Sequence, residues 1–305
     1  MIVPLILFVI GLAFLLKGAS IAVRGAEGLA TRLGVAPATI GFTVIAFGTS
    51  LPELVVTTEA FSRGNAGIGF GNIVGSNIAN IGLILGLVAL FLPATCCNTP
   101  SRNYVVRTSL MVLGATAVFV LFSLRGILDA IAGIVFLGMF CAILVSLWRS
   151  GPAADPPSDE PSPYPLLLTG AGLAAVIIGA HLLLTGAVEI AAAFSISPLV
   201  IGLSMVAIGT SLPELATSVV AAVKKSPGVA MGNVLGSNIF NLLFIGGINS
   251  LGTTIPIPNH GSLAVLSLFT LGLVPLLSGR PGITRIAGAA LLSGYVLYIA
   301  LLFVG

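Results

Sequence analysis

A seven-residue string, GTSLPEL, stands at positions 48–54 and again, unchanged, at 209–215. A second string recurs at the same offset of 161 residues, as GNIVGSNIAN at 71–80 and GNVLGSNIFN at 232–241. Across 41–86 and 202–247, about 20 of 46 positions are identical without a gap. Two long matches at one offset mark an internal duplication, so the chain must fold as two related units.

Composition says what surrounds those units. Of 305 residues, 57% are hydrophobic and 7% charged. A soluble domain carries about 25% charged residues, so this chain cannot cover a water-facing surface. Its apolar runs approach the ~20 residues that cross a bilayer as helix. Gly, Pro and charge clusters delimit ten spans, near 1–22, 36–61, 67–92, 105–124, 127–148, 165–190, 197–222, 227–251, 261–278 and 282–304. The expected fold is an all-α membrane protein. The first run, 1–16, has no positive leading region and no evident cleavage site, and is expected to be a retained span. The segment RSGPAADPPSDEPSPY at 149–164 is rich in Pro, Ser and acid and reads as a flexible cytoplasmic linker. It separates a first five-helix repeat, 1–148, from a second, 165–305.

Five is odd, so the second repeat enters the membrane from the opposite side. Basic residues test this independently. With the N-terminus outside, Lys17, Arg24, Arg32, Arg102, Arg107, Arg149, Lys224, Lys225, Arg280 and Arg285 fall on the cytoplasmic side, against Arg63 and Arg125 outside. That asymmetry obeys the positive-inside rule. Odd repeats and this bias give ten transmembrane helices in two inverted five-helix repeats, a transporter architecture. The net charge of +3 is small and implies no nucleic-acid partner. Three cysteines, two of them adjacent, show no metal-ligand or disulfide spacing.

Ala46, Thr49, Ser50, Glu53 and Thr57 share one helical face, and Ala207, Thr210, Ser211, Glu214 and Ser218 repeat it. A carboxylate deep in a span costs at least about 2.5 kcal/mol, and intramembrane acids are functional by default. Pro52 and Pro213 precede the two glutamates. Lacking an N–H, each deprives the carbonyl four residues back, Gly48 or Gly209, of its helical partner. Freed carbonyls, hydroxyls and a carboxylate make an all-oxygen environment of the kind that hard cations prefer. Asn72, Ser76 and Asn80 lie on one face of the third span and Asn233, Ser237 and Asn241 on one face of the eighth. Ser76, Asn80, Ser237 and Asn241 are expected at the ions. Asn72, Asn77, Asn233 and Asn238 are divided evenly between ion contact and helix-to-helix bonding.

The doubled GTSLPEL and GNxxGSNIxN strings resemble the alpha-repeats of the calcium/cation antiporter superfamily, the sodium/calcium exchanger group, over about the whole chain. The resemblance implies that the first and sixth helices slide across a core made of the rest. It implies a calcium site of Glu53 and Glu214 with the carbonyls of Thr49 and Thr210. Flanking sodium sites would use Ser50, Ser76, Ser211, Ser237 and the carbonyls of Ala46 and Ala207, with Asn80 and Asn241 completing the centre. Several relatives of this group carry an acid at one of the last two positions; here both are Asn, which leaves two formal charges.

The expected activity is exchange of calcium for sodium by alternating access, without an enzymatic reaction or cofactor. Proton/calcium antiport is the alternative and a cation channel a further one. A channel usually gathers its carboxylates as rings from several subunits. No HExxH, GxSxG or Cys/His constellation supports an enzyme. The protein is expected in the plasma membrane as a functional monomer. Gly11, Gly18 and Gly25, with Gly172, Gly179 and Gly186, are read equally as a sliding surface or as ordinary helix packing.

Overall fold

The computed structural model describes residues 2–97, 102–149, 163–194, 209–258 and 260–304. Eight helices among them are long and apolar enough to cross a membrane, and a ninth span is a bent pair. In chain order these are α1 (Ile2–Leu33), the bent pair α2 (Pro37–Thr49 and Leu51–Ser62), α3 (Ala66–Phe91), α4 (Arg102–Ser123), α5 (Ala130–Trp148), α6 (Pro165–Ala193), α8 (Pro227–Gly252), α9 (Gly261–Ser278) and α10 (Pro281–Val304). Between α6 and α8 lies α7 (Leu212–Val223), the second half of the expected seventh span. The first half of that span, and nearly all of the expected linker at 149–164, fall outside the described residues.

Burial sorts the helices. The most apolar windows of α8 and α3 are 94% and 78% buried, while those of α1, α5, α6 and α10 are under a third buried. The two copies of the GN string therefore form the centre, and lipid-facing helices wrap them. A two-residue strand β1 (Ile127–Leu128) pairs antiparallel with β2 (Ile255–Pro256), joining the α4–α5 and α8–α9 connections. Helix ends obey ordinary chemistry: Gly34, Gly64, Gly126 and Gly279 take the left-handed conformation that stops a helix. Lys225, the duplicate of Gly64, holds it too, at φ 60°, a conformation costing a side chain roughly 1 kcal/mol.

The α1–α6 pair is built on glycine. A Cβ added at Gly11 would lie 2.3 Å from the Leu183 backbone nitrogen, at Gly18 2.8 Å from that of Val176, and at Gly25 2.4 Å from that of Thr169. From the other side, Gly172 meets Ala22, Gly179 meets Leu15 and Gly186 meets Phe8. Steps of seven residues run in opposite directions along the two helices, so they pack antiparallel, backbone on backbone. The glycine face is thus turned inward between α1 and α6 and is not a surface offered to the core. Where the pair meets α7, the contact is a separate small apolar cluster: Leu15, Ala19, Val176, Ala180 and Ala216.

Minor sequence features settle simply. Glu59 pairs with Arg63, and Arg125 with Asp129 at 2.8 Å. Asp129 also caps α5 by accepting from the Ala132 N–H, and that bond, then Arg125, holds its carboxyl below the usual range. All three cysteines are free thiols. His181 lies exposed on α6.

Candidate functional site

The repeated GTSLPEL string breaks its helix at the serine. Ser50 (φ −89°, ψ 8°) separates the two arms of α2, bent by 46°, and Ser211 (φ −86°, ψ 3°) precedes α7 with the same geometry. Pro52 and Pro213 sit in the first turn of the helix that begins after each break, where a missing N–H removes no helical bond. The break therefore places Glu53 and Glu214 in the first turn of a helix. There the aligned peptide dipoles favour negative charge.

A second irregularity has no counterpart among the sequence signals. Gly41–Ile45, Asn80–Leu85 and Phe240–Ile245 wind as π-helix inside their spans. Such wide turns are rare and are frequent at functional sites. Asn80 begins one and Asn241 is second in another.

Both carboxyls are sealed: Glu53 is 1% exposed and Glu214 0%. They face each other across the two copies, and each is approached by hydroxyls of the other copy. Ser50 Oγ donates to Glu214 Oε1 at 2.7 Å. Thr49 and, from its own copy, Ser237 also lie beside Glu214, and Thr210 and Ser211 lie beside Glu53. Ser76, Ser237, Asn80 and Asn241 are all buried. Ala46 is buried, and its carbonyl accepts from the Ser50 N–H at 3.0 Å and from Thr49 Oγ1 at 3.3 Å. Ala207 lies outside the described residues.

The polar atoms here are under-bonded. Among the described residues, buried side-chain atoms without a hydrogen-bond partner include both Glu53 oxygens, Glu214 Oε2, both amide atoms of Asn80 and of Asn241, Ser211 Oγ and Ser237 Oγ. These are nine of the thirteen such atoms. Buried polar groups are normally satisfied, so their concentration on the residues expected at the ions bears directly on what the site holds. Seven of the nine are oxygens and two are carboxamide nitrogens. The oxygens suit a hard cation, which would satisfy them together.

The evenly divided asparagines separate. Asn77 and Asn238 donate to the carbonyls of Ile73 and Val234 on their own helices, both at 2.7 Å. Asn72 Nδ2 donates to the Glu53 carbonyl at 3.3 Å and Thr57 Oγ1 at 2.9 Å; Asn233 Nδ2 donates to the Glu214 carbonyl at 3.4 Å and Ser218 Oγ at 2.9 Å. These two hold the glutamate turns in place. Asn233 Oδ1 also accepts from Thr49 Oγ1 at 3.1 Å, a bond between copies. No sequence signal marks a contact between residues 184 apart. Replacing Asn233 with Ala strands the buried Ser218 hydroxyl, leaves Thr49 only its bond to the Ala46 carbonyl, and should lower stability by about 2 kcal/mol. In the less buried Asn72→Ala the loss should be smaller. Thermal unfolding of the two purified variants checks the order.

Two sealed carboxyls, ringed by hydroxyls and amides inside a bundle of membrane-spanning helices, define a multi-pass membrane transporter of cations. Comparison with known proteins gives the family. The family model described as sodium/calcium exchanger protein matches residues 3–149 and 164–304. The chain is 36% identical to the putative antiporter CaxA of Alkalimonas amylolytica, over 99% of each chain. It is 29% identical to the sodium/calcium exchanger MaX1 of Methanosarcina acetivorans, also over 99% of each. A structure of the sodium-calcium exchanger NCX_Mj, soaked with zero Na+ and Ca2+, superposes with a TM-score of 0.83 at 34% identity over 99% of each chain. The protein belongs to the sodium/calcium exchanger family and is a cation antiporter, not an enzyme.

Proposed function

We propose that this protein exchanges calcium for sodium across the plasma membrane by alternating access, acting as a monomer with its N-terminus outside. The observation that carries this reading is the set of unpartnered buried polar atoms centred on Glu53 and Glu214. Calcium would lie between the two carboxylates, with the carbonyls of Thr49 and Thr210 completing its shell. Sodium ions would use Ser50, Ser76, Ser211, Ser237 and the carbonyls of Ala46 and Ala207, with Asn80 and Asn241 at the centre. Residues 1–148 and 165–305 would be the two inverted units, joined by a cytoplasmic linker at 149–164.

Two carboxylates balance one calcium ion. Shared ligands make the ions compete, so loading one set expels the other. Without ions the site carries two like charges, and moving it through the low-dielectric membrane is unfavourable. That cost suppresses leak and couples the fluxes. The carboxylates also exchange protons, which supports proton coupling as the second reading.

The test is calcium-45 uptake into proteoliposomes loaded with sodium, with potassium, or with a proton gradient. Uptake that requires internal sodium is the expected result. Uptake driven by protons alone would replace the coupling ion, and uptake indifferent to every counter-ion would mean a channel.

A further inference from the structure

Four of the unpartnered buried atoms belong to residues not expected at the ions: Asn77 Oδ1, Asn238 Oδ1, Ser123 Oγ and Thr217 Oγ1. Asn77 and Asn238 spend their amide nitrogens on their own helices, and Ser123 stands at the end of α4. Thr217 alone of the four lies on a helix that carries a site glutamate, α7, and it is 0% exposed.

A threonine buried in a helix has a ready partner in the carbonyl one turn back. Thr108, Thr169 and Thr270, all buried, donate to the carbonyls of Tyr104, Pro165 and Leu266 at 2.7, 2.8 and 2.8 Å. Thr217 leaves the corresponding carbonyl of Pro213 unused, although an unpaired buried hydroxyl is unfavourable. Position says what the hydroxyl is near. Thr217 and Ser218 follow Glu214 by three and four residues, so the three share a helical face. The opposite face, with Ala216 and Val220, is taken up by the apolar cluster against α1 and α6. α7 also packs on α8 and on the π-helical turn that begins at Asn80. Thr217 therefore stands on the glutamate side of α7, about 4.5 Å along the axis from Glu214 at 1.5 Å per residue, toward Lys224.

The first copy has no such group. Shifted by 161 residues, Glu214 falls on Glu53 and Ser218 on Thr57, but Thr217 falls on Val56. We propose that Thr217 Oγ1 is a further oxygen ligand for the transported hard cation, met between the Glu214 carboxylate and the Lys224 end of α7. This rests on the exchange reading above and adds an inequality to it: the path leading from Glu214 has a coordinating step that the path leading from Glu53 lacks. A hydroxyl oxygen suits sodium or calcium. A purely structural role needs a bond for the hydroxyl to make, and it makes none.

The test is counter-ion-dependent calcium-45 flux in sealed vesicles sorted by which face presents Lys224 and Lys225, with calcium or sodium varied at one face at a time. Thr217→Val installs the residue of the first copy. Its KM for the cation at the Lys224 face should rise about fivefold, the worth of one hydroxyl contact, while the KM at the opposite face stays within about twofold. Thr217→Ser, which keeps the hydroxyl, should match the unaltered protein. The unfolding temperature of Thr217→Val without ions should hold or rise, because an unpaired buried hydroxyl is gone. Unchanged KM values at both faces overturn the proposal, whether or not the unfolding temperature falls. Equal shifts at both faces overturn it too, by placing the effect in the shared site, and so does a loss in Thr217→Ser equal to that in Thr217→Val. Absence of counter-ion-dependent flux in the unaltered protein would sink the exchange reading and this proposal with it. Normal flux there, with Thr217→Val indistinguishable, sinks this proposal alone.

Discussion

Glu53→Gln and Glu214→Gln should each abolish the proposed calcium exchange. The expected fall in sodium-dependent calcium-45 uptake is on the order of a hundredfold or more, because breaking a buried charge pairing by removing one partner costs about 3–5 kcal/mol. The same variants should be more heat-stable than the unaltered protein in the absence of calcium and sodium. Burial makes a charge on either carboxyl costly and the neighbouring carboxyl adds to that cost, and the amide removes one of the two groups. Calcium raises the unfolding temperature of a protein that binds it in the folded state, and that rise should disappear in both variants. Glu59→Gln serves as control: Glu59 is exposed and paired with Arg63, so its rates should stay within about twofold, as surface pairs contribute little. Loss of uptake with the calcium-induced stabilisation intact would remove the carboxylates from the ion site and assign them to the conformational step.

Gly172→Ala has the next largest expected effect. Its new Cβ would lie 2.3 Å from the Ala22 nitrogen and 2.7 Å from its Cα. Overpacking of this kind costs about 1–3 kcal/mol. Here the obstructing atoms are backbone, so Ala22→Gly should not rescue it, and α1 and α6 must separate. A lower unfolding temperature and slower exchange are both expected. At Gly48 the obstruction is the tip of Leu173, which can turn away, so Gly48→Ala should unfold at a higher temperature than Gly172→Ala. Gly67 and Gly71 have nothing within 4 Å of an added Cβ. Alanine there should be neutral or stabilising by up to about 1 kcal/mol. Equal tolerance at Gly172 and Gly71 would show that the helix pair is not packed backbone to backbone.

The duplication made much of this architecture legible. Identical strings at one offset identified the paired glutamates, and the apolar runs located the membrane helices. The buried polar atoms without partners fall mostly on residues those strings contain. What remained hidden depends on contacts across the bundle. The glycine spacing in α1 and α6 was visible, but not that the two stripes face each other, because periodicity gives a face and not its neighbour. Asn72 and Asn77 looked alike in sequence. One bonds the neighbouring helix and the other its own, a difference set by rotation against α2. The π-helical turns at Asn80 and Phe240 left no mark, since a wide turn is decided by packing around it and not by local propensity.

The register of α1 against α6 has a thermodynamic consequence. Shifted by 161 residues, the approach of Gly11 to Leu183 becomes that of Gly172 to Ala22, Gly18 to Val176 becomes Gly179 to Leu15, and Gly25 to Thr169 becomes Gly186 to Phe8. Swapping the two helices returns the same set of backbone meetings, a local two-fold relation written into one chain. In the proposed alternating-access cycle, such a relation would give the two conformers, one exposing each face of the membrane, nearly degenerate free energies. Neither would then be a sink, and the sign of net flux would be left to the ion concentrations on the two sides. Only the positions where the swap is imperfect, such as Thr169 against Phe8, can tilt that balance.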